Sequence, residues 1–266
     1  MEFSIITGQA TAQELEALEQ VLLTRKQQEQ TPRIHRSVFA RPQLRKPLTT
    51  KSRFGDKSYW VTLPKIILAS ASISRRRLLE SAGLKPIIMV SEVDEETEFF
   101  NALTPADMVI ALAITKAHTV RERIDFPAII IGCDSTFEFN GRSLGKPGTA
   151  DIAIERAKRV AGNSGLLHTG HCILDTSKDR EISNIITTKV NFEMISDDEI
   201  NDYVATGEPL HVAGGFTLDG FSSPFISTIE GDYTNVVGIS MPYIRKALAQ
   251  LGYSWPEVKL MQWDAY

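Results

Sequence analysis

The chain has 266 residues, of which 42% are apolar, and a formal net charge of −4, enough for one large domain, or one domain with an appendage, built on a genuine core. Its two cysteines, Cys133 and Cys172, are too few for a disulfide framework and are not spaced as metal ligands, which points to a reducing, cytoplasmic setting. No apolar run approaches the roughly 20 residues of a membrane span, the N-terminus lacks the order of a signal peptide, and the slightly acidic whole argues against nucleic acid as a partner.

The charge is not spread evenly. Residues 1–60 hold 10 Lys and Arg against 6 Asp and Glu, so a basic segment precedes an acidic remainder. Phe3-Ser4-Ile5-Ile6 reads as a short strand broken by Gly8, and Thr11-Ala12-Gln13-Glu14 has the spacing of a capping box. Leu15, Leu18, Val21 and Leu22 then repeat at helical spacing, which predicts an amphipathic helix. A polar stretch and a basic, Pro-containing run follow to about Trp60. One helix with a basic tail cannot form a core, so its apolar stripe must cover the main domain or a partner. The order of parts (strand, Gly, Ala10 to Leu22, polar linker, Ser37-Val38-Phe39-Ala40, Leu44-Arg45-Lys46-Pro47-Leu48, Tyr59-Trp60) resembles the small epsilon subunit of actinobacterial acyl-CoA carboxylases. That resemblance implies two units, 1–60 and 61–266, and docking of the first to carboxylase alpha and beta subunits.

From Pro64 the texture becomes alternating strand and helix. Ile66-Ile67-Leu68-Ala69 reads as a buried strand, and Leu78, Leu79 and Ala82, closed by Gly83, as a short helix. Between them Ser70, Ser72, Ser74 and Arg75 form a small-residue turn at a helix N-terminus, the chemistry an anion needs, although a Ser-capped helix with a solvated Arg run is the plainer alternative. Pro86 to Ser91 predicts a strand running into the acidic loop Glu92-Val93-Asp94-Glu95-Glu96. Thr104-Pro105-Ala106-Asp107 opens a helix with Pro in its first turn, with Met108, Leu112, Ile114 and Ala117 inward and Lys116 and His118 on its flanks. Pro127 to Gly132 predicts a strand that delivers Asp134 at its end. Asn140-Gly141 is a strong hairpin signal, and the chain returns through Ser143 to Pro147, so Asp134 and Lys146 can face one cleft. A helix over about 149–161, two antiparallel strands around 168–175 and 182–194, a helix capped by Ser196 and stopped by Gly207, a Gly-rich segment 213–220, turn residues Glu230 and Asp232, and a last helix over 242–251 complete an α/β pattern with a mixed sheet. His118, His168 and His171 lack paired ligand spacing and read as structural.

Five separated segments together resemble the Maf family of nucleoside triphosphate pyrophosphatases over about 65–252. They are Leu68 to Arg75, Val93-Asp94-Glu95, Ala113 to Ala117, Gly132 to Thr136 with Gly145-Lys146-Pro147, and Ala213 to Gly220 with Glu230 to Tyr233. The resemblance implies an α/β fold related to inosine triphosphate pyrophosphatases, with a mixed central sheet, flanking helices and a cleft between two lobes. It implies a hydrolase that cleaves a (d)NTP, canonical or modified, to the monophosphate and pyrophosphate with Mg²⁺ or Mn²⁺, often as a homodimer. Asp134 would be the base and, with Glu95, would hold the metal. Lys146 and Lys116 would neutralise phosphate charge, Ser70, Ser72 and Arg75 would bind the polyphosphate, Arg75 through a forked contact, and Arg76 and Arg77 would face water. Ser74, Ser135 and Asp219 stand where the family reads the base, each differing from its usual residue. A competing class is a nucleotide-binding regulator of cell division that uses the same cleft without turnover.

Overall fold

The computed structural model describes residues 64–260, together with 11–13, 15–17, 19–21 and 23. The expected strand at 3–6, and the remainder of the carboxylase-like segment apart from its helix, lie outside the described residues. That helix, α1, falls within residues 12–23. Of its expected stripe Val21 is buried, and Ala17 with it, in the cluster formed by Ile110, Ala113, Ala117 and Val120, and Gln13 Nε2 donates to Glu122 Oε1 at 2.8 Å.

The domain is organised on a mixed sheet. Among the described residues it has seven strands in the order β2-β1-β3-β5-β6-β7, with β4 paired to β3. β1 (Lys65–Leu68) lies parallel to both β2 (Ile87–Ile88) and β3 (Ala128–Phe139). β3, β5 (Ser164–Asp175), β6 (Arg180–Phe192) and β7 (Ile226–Glu230) run antiparallel to one another, and β4 (Arg142–Leu144) closes the hairpin on β3. That hairpin turns on Asn140 at φ 51° and Gly141 at φ 75°, the pair of positive φ values a two-residue primed turn requires.

Alternation along the strands feeds two faces. Ile67, Ile130, Cys172 and Leu174 pack under α4 (Pro105–Arg121), α3 (Glu98–Asn101) and α1. Ile66, Leu68, Ile129, Ile131 and Ile173 pack under α2 (Ile73–Ser81), α8 (Met241–Gln250) and α9 (Trp255–Leu260). The far ends of β3, β5 and β6 leave this sandwich and build a second core from Phe137, Phe139, Leu167, Val190 and Phe216. α5 (Ala150–Val160) and α6 (Asp197–Ala205) pack beside it through Ala153, Ile200 and Val204. Two lobes therefore share three strands, with the site at their junction.

Local signals explain the helix starts. Ser72, Thr104 and Ser196 cap α2, α4 and α6, Ser196 in a reciprocal capping box with Glu199, and Gly207 at φ 76° ends α6. Several expectations shift. The strand expected over 86–91 is only Ile87–Ile88, because its partner β1 has already turned away after Leu68. Asp134 is not at a strand end but inside the 12-residue β3; it is β1 that stops beside it. The segment read as a loop after Glu230 contains α7 (Tyr233–Val237), nucleated by Asp232, whose carboxylate accepts the Thr234 N–H at 2.9 Å. α3 and α9 carry too little periodicity to announce themselves. No helix among the described residues is long and apolar enough to cross a membrane.

Candidate active site

Two glycines set the depth of α4 on the sheet. A Cβ on Gly132 would lie 2.1 Å from the Ala113 carbonyl oxygen, and one on Gly170 would lie 2.1 Å from that of Val109. Only glycine admits so close a helix backbone. Asp134 sits two residues after Gly132, on the same face and opposite Gly170, where Lys116 comes down from α4. Lys116 Nζ lies 2.7 Å from Asp134 Oδ1 and 2.6 Å from Glu95 Oε1. Expected on the helix flank, Lys116 is instead buried, as is Asp134, while Glu95 is about half exposed on the loop after β2.

The electrostatics follow from that contact. Burial alone would pull the Lys116 ammonium down, but Asp134 and then Glu95 outweigh it and hold its pKa above the ordinary value. Burial likewise would raise Glu95, yet Lys116 foremost, with Lys146 and Arg75 behind it, keeps its carboxyl below the ordinary value. Lys146 is exposed two residues beyond β4. Since Phe137 pairs with Leu144, the returning chain brings Lys146 back toward the level of Asp134.

Arg75 lies buried on the opposite face of β3. Its Nε donates to the Gly238 carbonyl at 2.8 Å, Nη1 to Ser70 Oγ at 2.9 Å and the Cys133 carbonyl at 3.0 Å, and Nη2 to Ser135 Oγ at 2.9 Å. Four of the five N–H groups of a guanidinium are thus engaged by protein atoms. The forked phosphate contact expected of Arg75 is not on offer in this arrangement; one Nη2 hydrogen is left, and the side chain ties the turn after β1, strand β3 and the α7–α8 junction together.

The same network engages other expected residues. Ser70 Oγ also accepts the Ser72 N–H at 3.2 Å, and Ser72 Oγ accepts the Arg75 N–H at 3.3 Å. Ser135 Oγ is 2.9 Å from Thr169 Oγ1, which donates to the Asn235 carbonyl at 3.2 Å. Because Arg75 donates to Ser135 and Thr169 donates onward, the Ser135 hydroxyl must donate to Thr169. The three residues expected to read a base do not form one hydrogen-bonded group among the described residues: Ser135 is in this chain, Ser74 is half-buried in the first turn of α2, and Asp219 is exposed on the 216–222 loop.

The remaining candidates are structural. Glu230 pairs with Lys189 at 2.8 Å, and Asp232 caps α7 and accepts from Ser240 Oγ. His118 pairs with Glu181 at 2.6 Å, His168 bridges Thr187 and Glu138, and buried His171 accepts the Ser240 N–H at 2.8 Å. Burial pushes the Cys133 thiol up to about 12, so it is no nucleophile at neutral pH. Glu208, which sequence reading passed over, collects four donors beneath the 216–222 loop; its spacing from Thr217 and Ser222 carries no motif.

No group of three or more His, Cys, Asp and Glu side chains among the described residues is arranged to hold a metal ion. Asp134 and Glu95, however, are two carboxylates meeting at one cation. That donor set suits a hard divalent ion that takes its other ligands from phosphate oxygens and water.

The chain matches the family described as "Maf-like protein" over residues 65–251, beginning at the first residue of β1. It is 49% identical over 189 residues to a protein of Streptomyces coelicolor named "Nucleoside triphosphate pyrophosphatase", covering 71% of this chain and 91% of that one. A protein of the same name from Nostoc punctiforme is 45% identical over 191 residues, covering 72% and 95%. A third, from Prochlorococcus marinus strain MIT 9303, is 48% identical over 183 residues, covering 69% and 97%. α1 and the basic segment lie outside the family match.

Proposed function

This chain belongs to the Maf-like protein family, and on that premise we propose that it is a nucleoside triphosphate pyrophosphatase, a hydrolase that releases pyrophosphate and leaves the nucleoside monophosphate. The observation that carries the reading is the Lys116 ammonium bridging Asp134 and Glu95. Hydrolysis between the α and β phosphates demands cations and donors for developing charge and a base for the attacking water.

Asp134 is the base. Lys116 holds its Oδ1, so Oδ2 takes the proton of the water. Lys146 and Lys116 stand against the negative charge of the polyphosphate, and the N–H groups of Ile73 and Ser74, at the start of α2, meet its oxygens. Ser70 and Ser72 line that turn, oriented by Arg75. Asp134 and Glu95 would hold Mg²⁺ or Mn²⁺, which supplies charge neutralisation to the leaving pyrophosphate. Ser74, Ser135 and Asp219 remain the proposed readers of the base, with Asp219 accepting from a base edge that offers N–H groups.

Purified full-length protein with Mg²⁺ or Mn²⁺ is offered a panel of canonical and modified NTPs. Pyrophosphate as first product from at least one, lost in Asp134→Asn, supports the reading. Orthophosphate as first product overturns it, and nucleotide-dependent thermal stabilisation without product identifies the non-catalytic regulator instead. Cytoplasmic residence, a homodimer, a division of the chain at about residue 60, and docking of residues 1–60 to acyl-CoA carboxylase subunits rest on the composition and resemblances above, with α1 of the first unit packing Ala17 and Val21 on the second. For the last, enrichment of carboxylase subunits by the full chain is the readout.

A further inference from the structure

Glu208, the first residue of the 3₁₀ turn Glu208–His211, gathers four donors on one carboxylate. Oε1 accepts from Tyr203 Oη at 3.1 Å, Thr217 Oγ1 at 2.7 Å and the Ser222 N–H at 3.4 Å, and Oε2 accepts the Phe221 N–H at 2.9 Å. Together these bonds hold its carboxyl below the ordinary value against the opposing effect of burial. The fit is tight: a Cβ on Gly220 would lie 2.3 Å from Glu208 Oε2. The segment running from Glu208 to Ser222 is therefore folded around this one side chain.

The outer face of that segment touches the chain that carries Lys146. The Leu210 carbonyl accepts the Gly148 N–H at 3.0 Å. Gly215 lies against buried Pro147 closely enough that a Cβ there would be 3.2 Å from the proline Cγ, and the Gly215 carbonyl lies 3.2 Å from Tyr203 Oη, whose single O–H is shared between it and Glu208. From the other side Arg156 Nη1 donates to the Gly145 carbonyl at 2.6 Å. The four residues Gly145 to Gly148 are gripped at both ends and at the proline, leaving the exposed Lys146 side chain as the part free to reach a ligand.

We infer that Glu208 is a positioning residue for Lys146, acting through the 208–215 turns and Pro147, with Arg156 as the opposing brace. The inference rests on the pyrophosphatase reading, in which Lys146 meets polyphosphate charge. Glu208→Gln places an amide N–H against one of the four donors, so at least one anchor of the loop is lost.

In the full chain, Glu208→Gln is expected to lower kcat/KM for pyrophosphate release about tenfold, mostly in kcat, because a charge meant for the transition state is misplaced. Combined with Lys146→Ala, the added loss shrinks to less than about twofold, the non-additivity of residues that act through one another. Thr217→Val, which removes one donor from the carboxylate, gives the same pattern at about threefold, and it serves if Glu208→Gln does not fold. Amide exchange of the peptide spanning 145–148 is expected to quicken in both variants. A loss that persists undiminished without Lys146, no loss at all, or unchanged exchange at 145–148 overturns the positioning role while wild-type turnover stands. A wild-type chain that releases no pyrophosphate overturns the pyrophosphatase reading, and this role with it.

Discussion

Lys116 and Asp134, 18 residues apart in sequence, form a buried ion pair at 2.7 Å between α4 and the middle of β3. Removing one partner of such a pair leaves the other charge without compensation in a low-dielectric site. Lys116→Met is expected to cost about 3 kcal/mol or more of stability and to reduce pyrophosphate release by about 10²-fold or more. Urea unfolding and the release assay check the two effects. Lys116→Arg should not rescue activity, because a planar fork cannot replace a point charge between two carboxylates.

Arg75 is expected to matter for folding as much as for turnover. Arg75→Lys keeps the charge but cannot reach Gly238, Ser70, Cys133 and Ser135 together. At about 1.5–3 kcal/mol for a hydrogen bond to a charged group, loss of even one or two should lower the unfolding free energy by about 2–4 kcal/mol. A denaturant midpoint unchanged from wild type would contradict the network.

Two histidines should give opposite slopes of stability with pH. The hydrogen bond that His118 donates to the Glu181 carboxylate foremost holds its pKa above the ordinary value of 6.5. Its stabilisation is complete below 6.5, where both states are protonated, and fades as pH rises through the raised folded value. The stability gap between wild type and His118→Gln is therefore expected to narrow as pH rises from 6 to 9. His171 is pulled down to about 3, by burial first and by Arg75 second. Its Nε2 accepts the Ser240 N–H and cannot also carry a proton. Between 6.5 and 3 the unfolded chain binds a proton that the folded one refuses, so stability falls as pH falls, by up to about 1.4 kcal/mol per pH unit. Wild type should show this decline more steeply than His171→Gln.

Gly132→Ala tests whether the close approach of α4 sets the site. The added Cβ meets the Ala113 carbonyl, and backbone on both sides cannot yield cheaply. Overpacking at this depth is expected to cost about 3 kcal/mol and to carry Lys116 away from Asp134. A variant with wild-type melting and turnover would show that the helix has room to spare.

What the sequence made legible was local. The strand Ile66 to Leu68, the serine cap at 72, the Asn140-Gly141 turn and the capping box at Ser196 follow from short-range chemistry. The Maf-like pattern likewise implies a shared place for Asp134, Lys116 and Glu95. What stayed hidden depends on distant backbone. Arg75 finds its partners at Cys133 and Gly238, 58 and 163 residues away, so neither its burial nor the spending of its fork could be read from neighbours. Lys116 is buried only because two glycines on different strands lower α4 onto the sheet. α7 is short and β-branched, a poor helix by propensity that tertiary packing enforces. Helical periodicity alone does not say whether the α1 stripe covers the domain or a partner, and Ala17 and Val21 lie on the domain.

β3, β5 and β6 pass unbroken from one hydrophobic core into the other, and β5 is paired without a register shift from Leu166 to Asp175 on the β3 side and from Ser164 to Asp175 on the β6 side. A joint splinted by three continuous strands has no pivot about which the halves could swing. Any relative movement between the two cores would therefore have to bend a continuous paired ladder rather than turn about a linker.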